Sequence, residues 1–475
     1  MTLEQEVAYT EGLEVDEQSV SSKQGKALTL EQEIREFMYQ EGIEEDMMGF
    51  AGPGRFDGPP SLDPTYVLKG AKSIISYAMP YAAEPIYDYL SKKTPLPHTI
   101  QLYKGNLKMM AIGRHLAEFL KAKGYRAKGV GANAIYRVMN NMNNMAPDFS
   151  HRYGAYVSGV AAPGLSGNAM TKRYGGAVWL GTVITDAVLE SSPTMDPCHF
   201  IDHRCQGCLV CGDSCPTNMF LMDELEYSLI NGELWPRGKK RQGAICAVSC
   251  GGQHALSHDK KWTNWSKEWV PTFVKEKPDP KKHNVVFELI RGIIKSPDYG
   301  FRTSPYLKFY ADAEGKYDEE LASDSELFPY YEDLEGETEG EKLKSFANHM
   351  SKIFGHPVYD PLGIQCEQCS AVCAGSNEEN KKRYNMLINS GFVTYTEGNE
   401  PLIVDTFEEA VAQRKAYKYK VPPFTWIRAQ LTAAPFLSKF FGIPDWEAIR
   451  KGKEYFKKLN ARLREEGKPE YPPFS

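Results

Sequence analysis

The stretch CQGCLVCGDSCP, Cys205 to Pro216, sets four thiols and a proline within twelve residues. Its spacing, C-x2-C-x2-C-x3-C-P, is the bacterial ferredoxin run, in which three thiolates hold one 4Fe-4S cube and the fourth ligates another. The short gaps turn three sulfurs toward a common centre, while the fourth precedes a proline that redirects the chain. Zinc is the competing reading. A zinc site takes two separated pairs of thiols and has no use for four in one run.

Working outward, the chain of 475 residues carries 10 cysteines, and most fall in close groups. Beyond Cys205, Cys208, Cys211 and Cys215 come Cys246 and Cys250 in AICAVSC, then Cys366, Cys369 and Cys373 in CEQCSAVCAG. Two cubes need eight ligands. By the crossing rule Cys205, Cys208 and Cys211 take Cys373 as their fourth partner, and Cys215 joins Cys366 and Cys369. One ligand of the second cube is then missing, and Cys246 or Cys250 must supply it, with Cys246 favoured. Ala374 stands where a proline is common. Cys198 and the unused cysteine read as small buried apolar side chains.

The formal net charge is −6, which argues against a protein whose main work is gripping nucleic acid, because phosphate neutralisation needs a dense basic face. No apolar run reaches the roughly 18 residues of a membrane helix, and the start, MTLEQEVAYTEGLEVDEQ, is acidic and polar, unlike an export signal. The expectation is a cytoplasmic protein without a transmembrane segment. Clustered thiols in such a chain point to metal and away from a disulfide framework.

Residues 1–28 read as a polar arm. From Thr29 an amphipathic helix begins, with Gln32 at capping-box spacing. AKSIISYAMPY reads as a buried strand ending at Pro80, HTIQLYKGNLKMMAIGRHLAEFLKAKGY as a helix closing at Gly124, RAKGVGANAIYRV as strand and turn, and GGAVWLGTVITD as a further strand. Helices alternating with buried strands predict an α/β (α+β) layer domain over 29–195. A two-cluster domain is expected over 196–255 and 356–385, interrupted by a charged, aromatic insertion, 256–355, and followed by a helical segment, 386–475. Within the insertion Trp262, Trp265 and Trp269 share helical spacing and read as packing anchors. The insertion itself is a candidate lid or homodimer contact. No internal repeat is evident at this level.

A helix bearing a tyrosine, a glycine-containing strand, the small-residue loop GAYVSGVAAPGLSGNAM, GGAVWLGTVITD, and then the cysteine frame together resemble the cobamide-dependent iron-sulfur reductases. That group comprises the reductive dehalogenases and the epoxyqueuosine reductases. The resemblance covers residues 30–250 and 360–375. It implies a nitroreductase-like domain holding a base-off corrinoid (cobalamin or another cobamide), and a ferredoxin-like domain carrying two 4Fe-4S clusters that feed electrons to cobalt. It further implies that Gly159, Gly164, Ser166, Gly167, Asn168, Gly175, Gly176 and Trp179 approach the macrocycle, since small residues let backbone come close. No D-x-H-x-x-G occurs, so no histidine lower ligand is expected.

Tyr103 matches the helix-borne proton donor of the resemblance, and Lys128 is the charge that would steady an anion. The chain departs from the pattern twice. Trp179 stands where dehalogenases carry arginine, and VGANA lacks the carboxylate of the epoxyqueuosine reductases, leaving Asp148 in APDFSHRYG as the substitute. The activity implied is reductive cleavage of a bond in a small organic substrate by Co(I) chemistry, with ferredoxin or flavodoxin as electron donor. The alternatives are an epoxyqueuosine (tRNA) reductase, or an iron-sulfur electron carrier or corrinoid activator with no substrate chemistry of its own.

Overall fold

The computed structural model describes residues 28–131, 147–215, 219–240, 265, 328–354, 366–396, 400–416, 461 and 464–465. Cys246, Cys250, Trp262, Trp269 and the 1–27 part of the arm lie outside the described residues, as does most of the 256–355 insertion.

In chain order the elements are α1 (Leu30–Gln40), β1 (Met48–Ala51), β2 (Ser73–Pro80), α2 (Ala83–Leu90), α3 (Leu96–Ala122), β3 (Ala127–Val130) and α4 (His151–Val157). There follow β4 (Ala162–Pro163), β5 (Ala169–Met170), β6 (Val178–Thr185), α5 (His199–His203), α6 (Val210–Asp213), β7 (Phe220–Ile230) and β8 (Glu233–Lys240). The end of the insertion forms α7 (Glu339–Phe354), and after it come α8 (Gln368–Ala371), α9 (Asn377–Asn389), β9 (Phe392–Tyr395), β10 (Pro401–Val404) and α10 (Phe407–Ala416).

Helix α1 starts where its capping box predicts. The Thr29 hydroxyl accepts the Gln32 backbone N–H at 3.3 Å, and the Gln32 side-chain oxygen accepts the Thr29 N–H at 2.9 Å, which satisfies two amides that the helix itself leaves without partners. The central sheet runs β1-β2-β6-β3 with every neighbouring pair antiparallel. Among the described residues the layering is therefore α+β in detail, without parallel crossovers.

Alternation along the strands separates the two faces of that sheet. Tyr77 and Val183 meet Gly113 of α3, whereas their neighbours Ser76 and Thr182 meet Gly154 of α4. Helices thus cover both faces. On the α3 side the Tyr77 hydroxyl donates to the Met109 carbonyl at 2.8 Å, and its ring lies against Gly181, where a side chain would collide.

Two apolar cores result. The larger surrounds the sheet and includes Ile34, Ile74, Ile75, Leu116, Val183 and Ile184. The second joins α2 and the first half of α3 to the insertion and to the segment after it, through Leu90, Leu96, Trp265, Phe346, Val372 and Leu387. Trp265 acts as the packing anchor that its spacing predicts. It is 1% exposed and donates its ring N–H to the Tyr89 carbonyl at 2.8 Å. Among the described residues no helix is long and apolar enough to cross a membrane.

Candidate functional site

The cysteine run opens with a single 3-10 turn, Cys205–Gly207, and leads into α6 through Leu209, which is left-handed at φ 56°. The third group repeats this. Glu367 is left-handed at φ 49° and leads into α8. In each, the left-handed residue immediately follows the first cysteine of a C-x2-C-x3-C run: Cys208, Cys211, Cys215 in one and Cys366, Cys369, Cys373 in the other. A short repeat therefore exists that the sequence reading missed, because its two copies share cysteines and little else. Helices α6 and α8 pack against each other.

Cys205, Cys208, Cys211 and Cys373 come together as one set, each within electrostatic reach of the other three, with Cys369 beside Cys211 and Cys373. Burial pushes the Cys373 thiol up to about 12, and repulsion from Cys205, Cys208 and Cys369 adds to it. Burial likewise pushes Cys211 well above the ordinary thiol range. Four thiols this close, with Cys205 and Cys373 buried, do not ionise together readily without a cationic centre between them, so the donor set suits metal. Among the described residues no three such side chains converge on a single-ion position; a cube differs in spreading its ligands over four irons.

Hydrogen-bond donors surround the sulfurs. The Gly176 backbone N–H reaches Cys373 Sγ at 3.3 Å, the Met219 N–H reaches Cys215 Sγ at 3.3 Å, and a backbone hydrogen bond from Leu165 holds the Cys205 thiol lower than burial alone would. Two side-chain amides do the same, Asn380 at Cys208 and Asn168 at Cys369. Donors of this kind stabilise thiolate sulfur. The residues of the first set fit a 4Fe-4S cube. Of the second set, Cys215, Cys366 and Cys369 are described, with Cys366 buried.

The small residues expected around a macrocycle have other neighbours. A Cβ on Gly164 would meet the Met170 sulfur and come within 3.6 Å of Cys205 Sγ. Gly175, at φ 59°, faces the Ala374 carbonyl so closely that a Cβ would overlap it, and a Cβ on Gly176 would lie 3.4 Å from Cys373 Sγ. Gly159 packs on the Pro193 carbonyl, and Gly167 on Lys240 and Arg237. Ser166 is buried and accepts the Asn168 backbone N–H at 3.2 Å. Trp179 lies over Gly105, its ring 4.3 Å from that of Tyr81. The space a side chain would need at these glycines is thus taken by backbone, by Met170, Lys240 and Arg237, and by the cysteine groups. A macrocycle at this loop would have to meet it elsewhere than at those glycine faces.

Tyr103, Lys128 and Asp148 occupy three separate parts of the fold. Tyr103 is fully buried in the second core, its ring stacked on Phe328 at 5.1 Å. Lys128 is exposed on the edge strand β3, and Asp148 precedes α4.

A cavity of about 410 Å³ opens beside the first thiol set, lined by Tyr81, Lys172, Arg173, Tyr174, Arg383 and the backbone at Ala374–Ser376. Arg173 is paired with Glu44 and Asp46, and Arg383 with Glu379 at 3.0 Å. Of these lining residues the sequence reading named only Ala374, and for its place in the cysteine motif. The signal that locates one wall is Ser376 followed by Glu379, a helix start directly after the last cysteine. Its cap forms, with Ser376 Oγ accepting the Glu379 N–H at 3.2 Å.

No protein-family model and no curated protein matches the chain. Among solved structures it is similar to an epoxyqueuosine reductase with a tRNA-Tyr epoxyqueuosine-modified tRNA stem loop, at 15% identity over 86% of this chain and 92% of that one, with a TM-score of 0.35. The epoxyqueuosine reductase of Bacillus subtilis gives 16% identity, 90% and 93% coverage, and a TM-score of 0.35. A reductive dehalogenase described for B12-dependent dehalogenation gives 14% identity over 48% of this chain and 30% of that one, with a TM-score of 0.35. Overlap this shallow assigns neither a fold family nor an activity.

Proposed function

We propose that the chain is an iron-sulfur oxidoreductase that binds two 4Fe-4S clusters and passes electrons to an acceptor held against the α+β domain. The observation that carries this reading is the meeting of Cys205, Cys208 and Cys211 with Cys373 across the intervening insertion, in a pocket furnished with N–H donors. When bound, such clusters supply one-electron transfer.

The chain's own residues do the rest. Cys205, Cys208, Cys211 and Cys373 would hold the first cube. Cys215, Cys366, Cys369 and a further cysteine, Cys246 in the favoured reading, would hold the second. Gly176 lets strand β6 close on Cys373 and donates its N–H to the sulfur. The cavity at Ala374–Ser376 brings an acceptor to within one residue of a first-set ligand, where Tyr81, Tyr174 and Lys172 can orient a small organic molecule.

The finer reading, a corrinoid-dependent reductive cleavage with a ferredoxin or flavodoxin as donor, is favoured by the order of the tyrosine helix, small-residue loop and cysteine frame. It requires cobalt, and Tyr103 as its acid. Anaerobic preparation from cobamide-supplied cells tests both. About eight irons per chain are expected for two cubes, and a chain without iron ends the proposal. Cobalt at one per chain would establish the corrinoid reading, and iron without cobalt would remove it. Tyr103→Phe should then slow turnover while leaving the metals bound.

A further inference from the structure

Two side chains, Asn380 and Asn168, aim an amide nitrogen at a cysteine sulfur. Asn380 is 2% exposed; its Nδ2 lies 3.4 Å from Cys208 Sγ while its Oδ1 accepts the Ala374 backbone N–H at 2.5 Å. Asn168 is 8% exposed. Its Nδ2 lies 3.6 Å from Cys369 Sγ and 3.1 Å from Ser370 Oγ, while its Oδ1 accepts from the Arg152 guanidinium at 3.1 Å. In both, the group facing the oxygen can only donate. Turning either amide over would set N–H against N–H, so hydrogen-bond chemistry fixes the nitrogen toward sulfur.

The two amides serve different sets. Cys208 belongs to the first and Cys369 to the second, and the anchors differ as well, a backbone amide on α9's approach for one and an arginine of α4 for the other. We infer that Asn380 and Asn168 are separate positioning residues, each raising the reduction potential of one cluster by donating to a ligand sulfur. The inference rests on the iron-sulfur reading above and adds to it a division of control.

Reduction adds negative charge that spreads onto the thiolates, so an N–H···S bond strengthens in the reduced state and favours it. Burial keeps water from replacing a lost donor, which makes each amide matter. Asn→Asp keeps the oxygen acceptor and the shape but exchanges the N–H donor for a carboxylate oxygen, so its shift includes an added charge; Asn→Ser removes the donor without adding charge and separates the two.

The test is a potentiometric titration of the anaerobic holoprotein, following each cluster's paramagnetic signal. Asn380→Asp should lower the first cluster's potential by about tenfold in its equilibrium constant, about 59 mV for a one-electron couple, and leave the second in place. Asn168→Asp should do the reverse. Asn380→Ser, whose hydroxyl is too short to reach the sulfur, gives a second reading should the aspartate variant lose iron. Both potentials unmoved with full iron, or both moving together in each variant, would overturn the inference alone. A wild-type chain without iron would instead overturn the reading beneath it.

Discussion

The two cysteine groups, Cys205–Cys215 and Cys366–Cys373, share a local backbone and differ in their surroundings. Both pass through a left-handed residue into a four-residue helix. Yet in the first group only Cys205 is buried, with Cys208, Cys211 and Cys215 half-buried, whereas in the second Cys366 and Cys373 are buried and Cys369 half-buried. The difference comes from what is stacked on each. The Cys373 carbonyl accepts the N–H groups of both Gly176 and Ala177 at 3.0 Å, and Arg383 of α9 donates to the Ala371 carbonyl at 3.0 Å. On the first group the strand contact is made by β7 and the residue before it: Met222 lies against Gly212, and the Met219 N–H reaches Cys215 Sγ at 3.3 Å. One motif, used twice, thus has an inner copy wedged between β6 and α9 and an outer copy nearer the surface. Local spacing sets the ligand geometry, and tertiary packing sets which copy meets solvent.

That contrast can be broken most sharply at the ligands. Cys208→Ser should remove the first cube and Cys369→Ser the second, each leaving about half of the expected eight irons. Loss of all iron from either variant in an otherwise folded chain would mean that the two groups form one inseparable unit.

A smaller but still large effect is expected from the packing itself. Gly175→Ala puts a Cβ onto the Ala374 carbonyl at a left-handed backbone position, an overpacking that should cost about 1–3 kcal/mol or more. Gly207→Ala, within the outer group, meets nothing within 4 Å and should change stability by less than about 0.5 kcal/mol. Thermal unfolding of the pair of variants reads the difference, and equal shifts would erase the distinction between inner and outer copies.

Acid should act on the inner side. His98 is 1% exposed, close to the Tyr89 ring at 4.9 Å, and burial, with the nearby Arg383 charge, holds it at about 3, below the ordinary 6.5. Above pH 6.5 it is neutral both folded and unfolded and costs nothing. Between 6.5 and 3 the unfolded chain takes up the proton and the folded chain does not, so stability falls as pH drops. His98→Leu should flatten that part of the curve, and an unchanged slope would remove His98 as its source.

The least effect belongs to the shared backbone. Leu209→Gly and Glu367→Gly should each leave stability unchanged or raise it by up to about 1 kcal/mol, because glycine takes the left-handed conformation without the Cβ penalty. A gain at one site and a loss at the other would show that the two turns are not equivalent.

Much of this was legible in the residues. The Thr29–Gln32 cap, the buried strand ending at Pro80 and the helix turning over at Gly124 are local signals, and the structure places elements at all three. The role of the glycine-rich loop was not legible. Small residues announce a close approach without saying what approaches, and at Gly164, Gly175 and Gly176 the neighbours are the Met170 side chain, cysteine groups and the Ala374 backbone. Asn380 and Arg383 were invisible for a related reason: a polar residue on a charged helix looks solvated until the helix is docked.

By itself the sequence determined the spacing of the thiols, and with it the metal chemistry they suit, because ligand geometry within a dozen residues is set by short loops. The crossing rule also pairs Cys373 with the first three thiols, whereas which amides face the sulfurs and which copy of the motif lies inside were decided only when β6 and α9 closed on residues far away in the chain. Those choices depend on burial and shape, which no local stretch encodes.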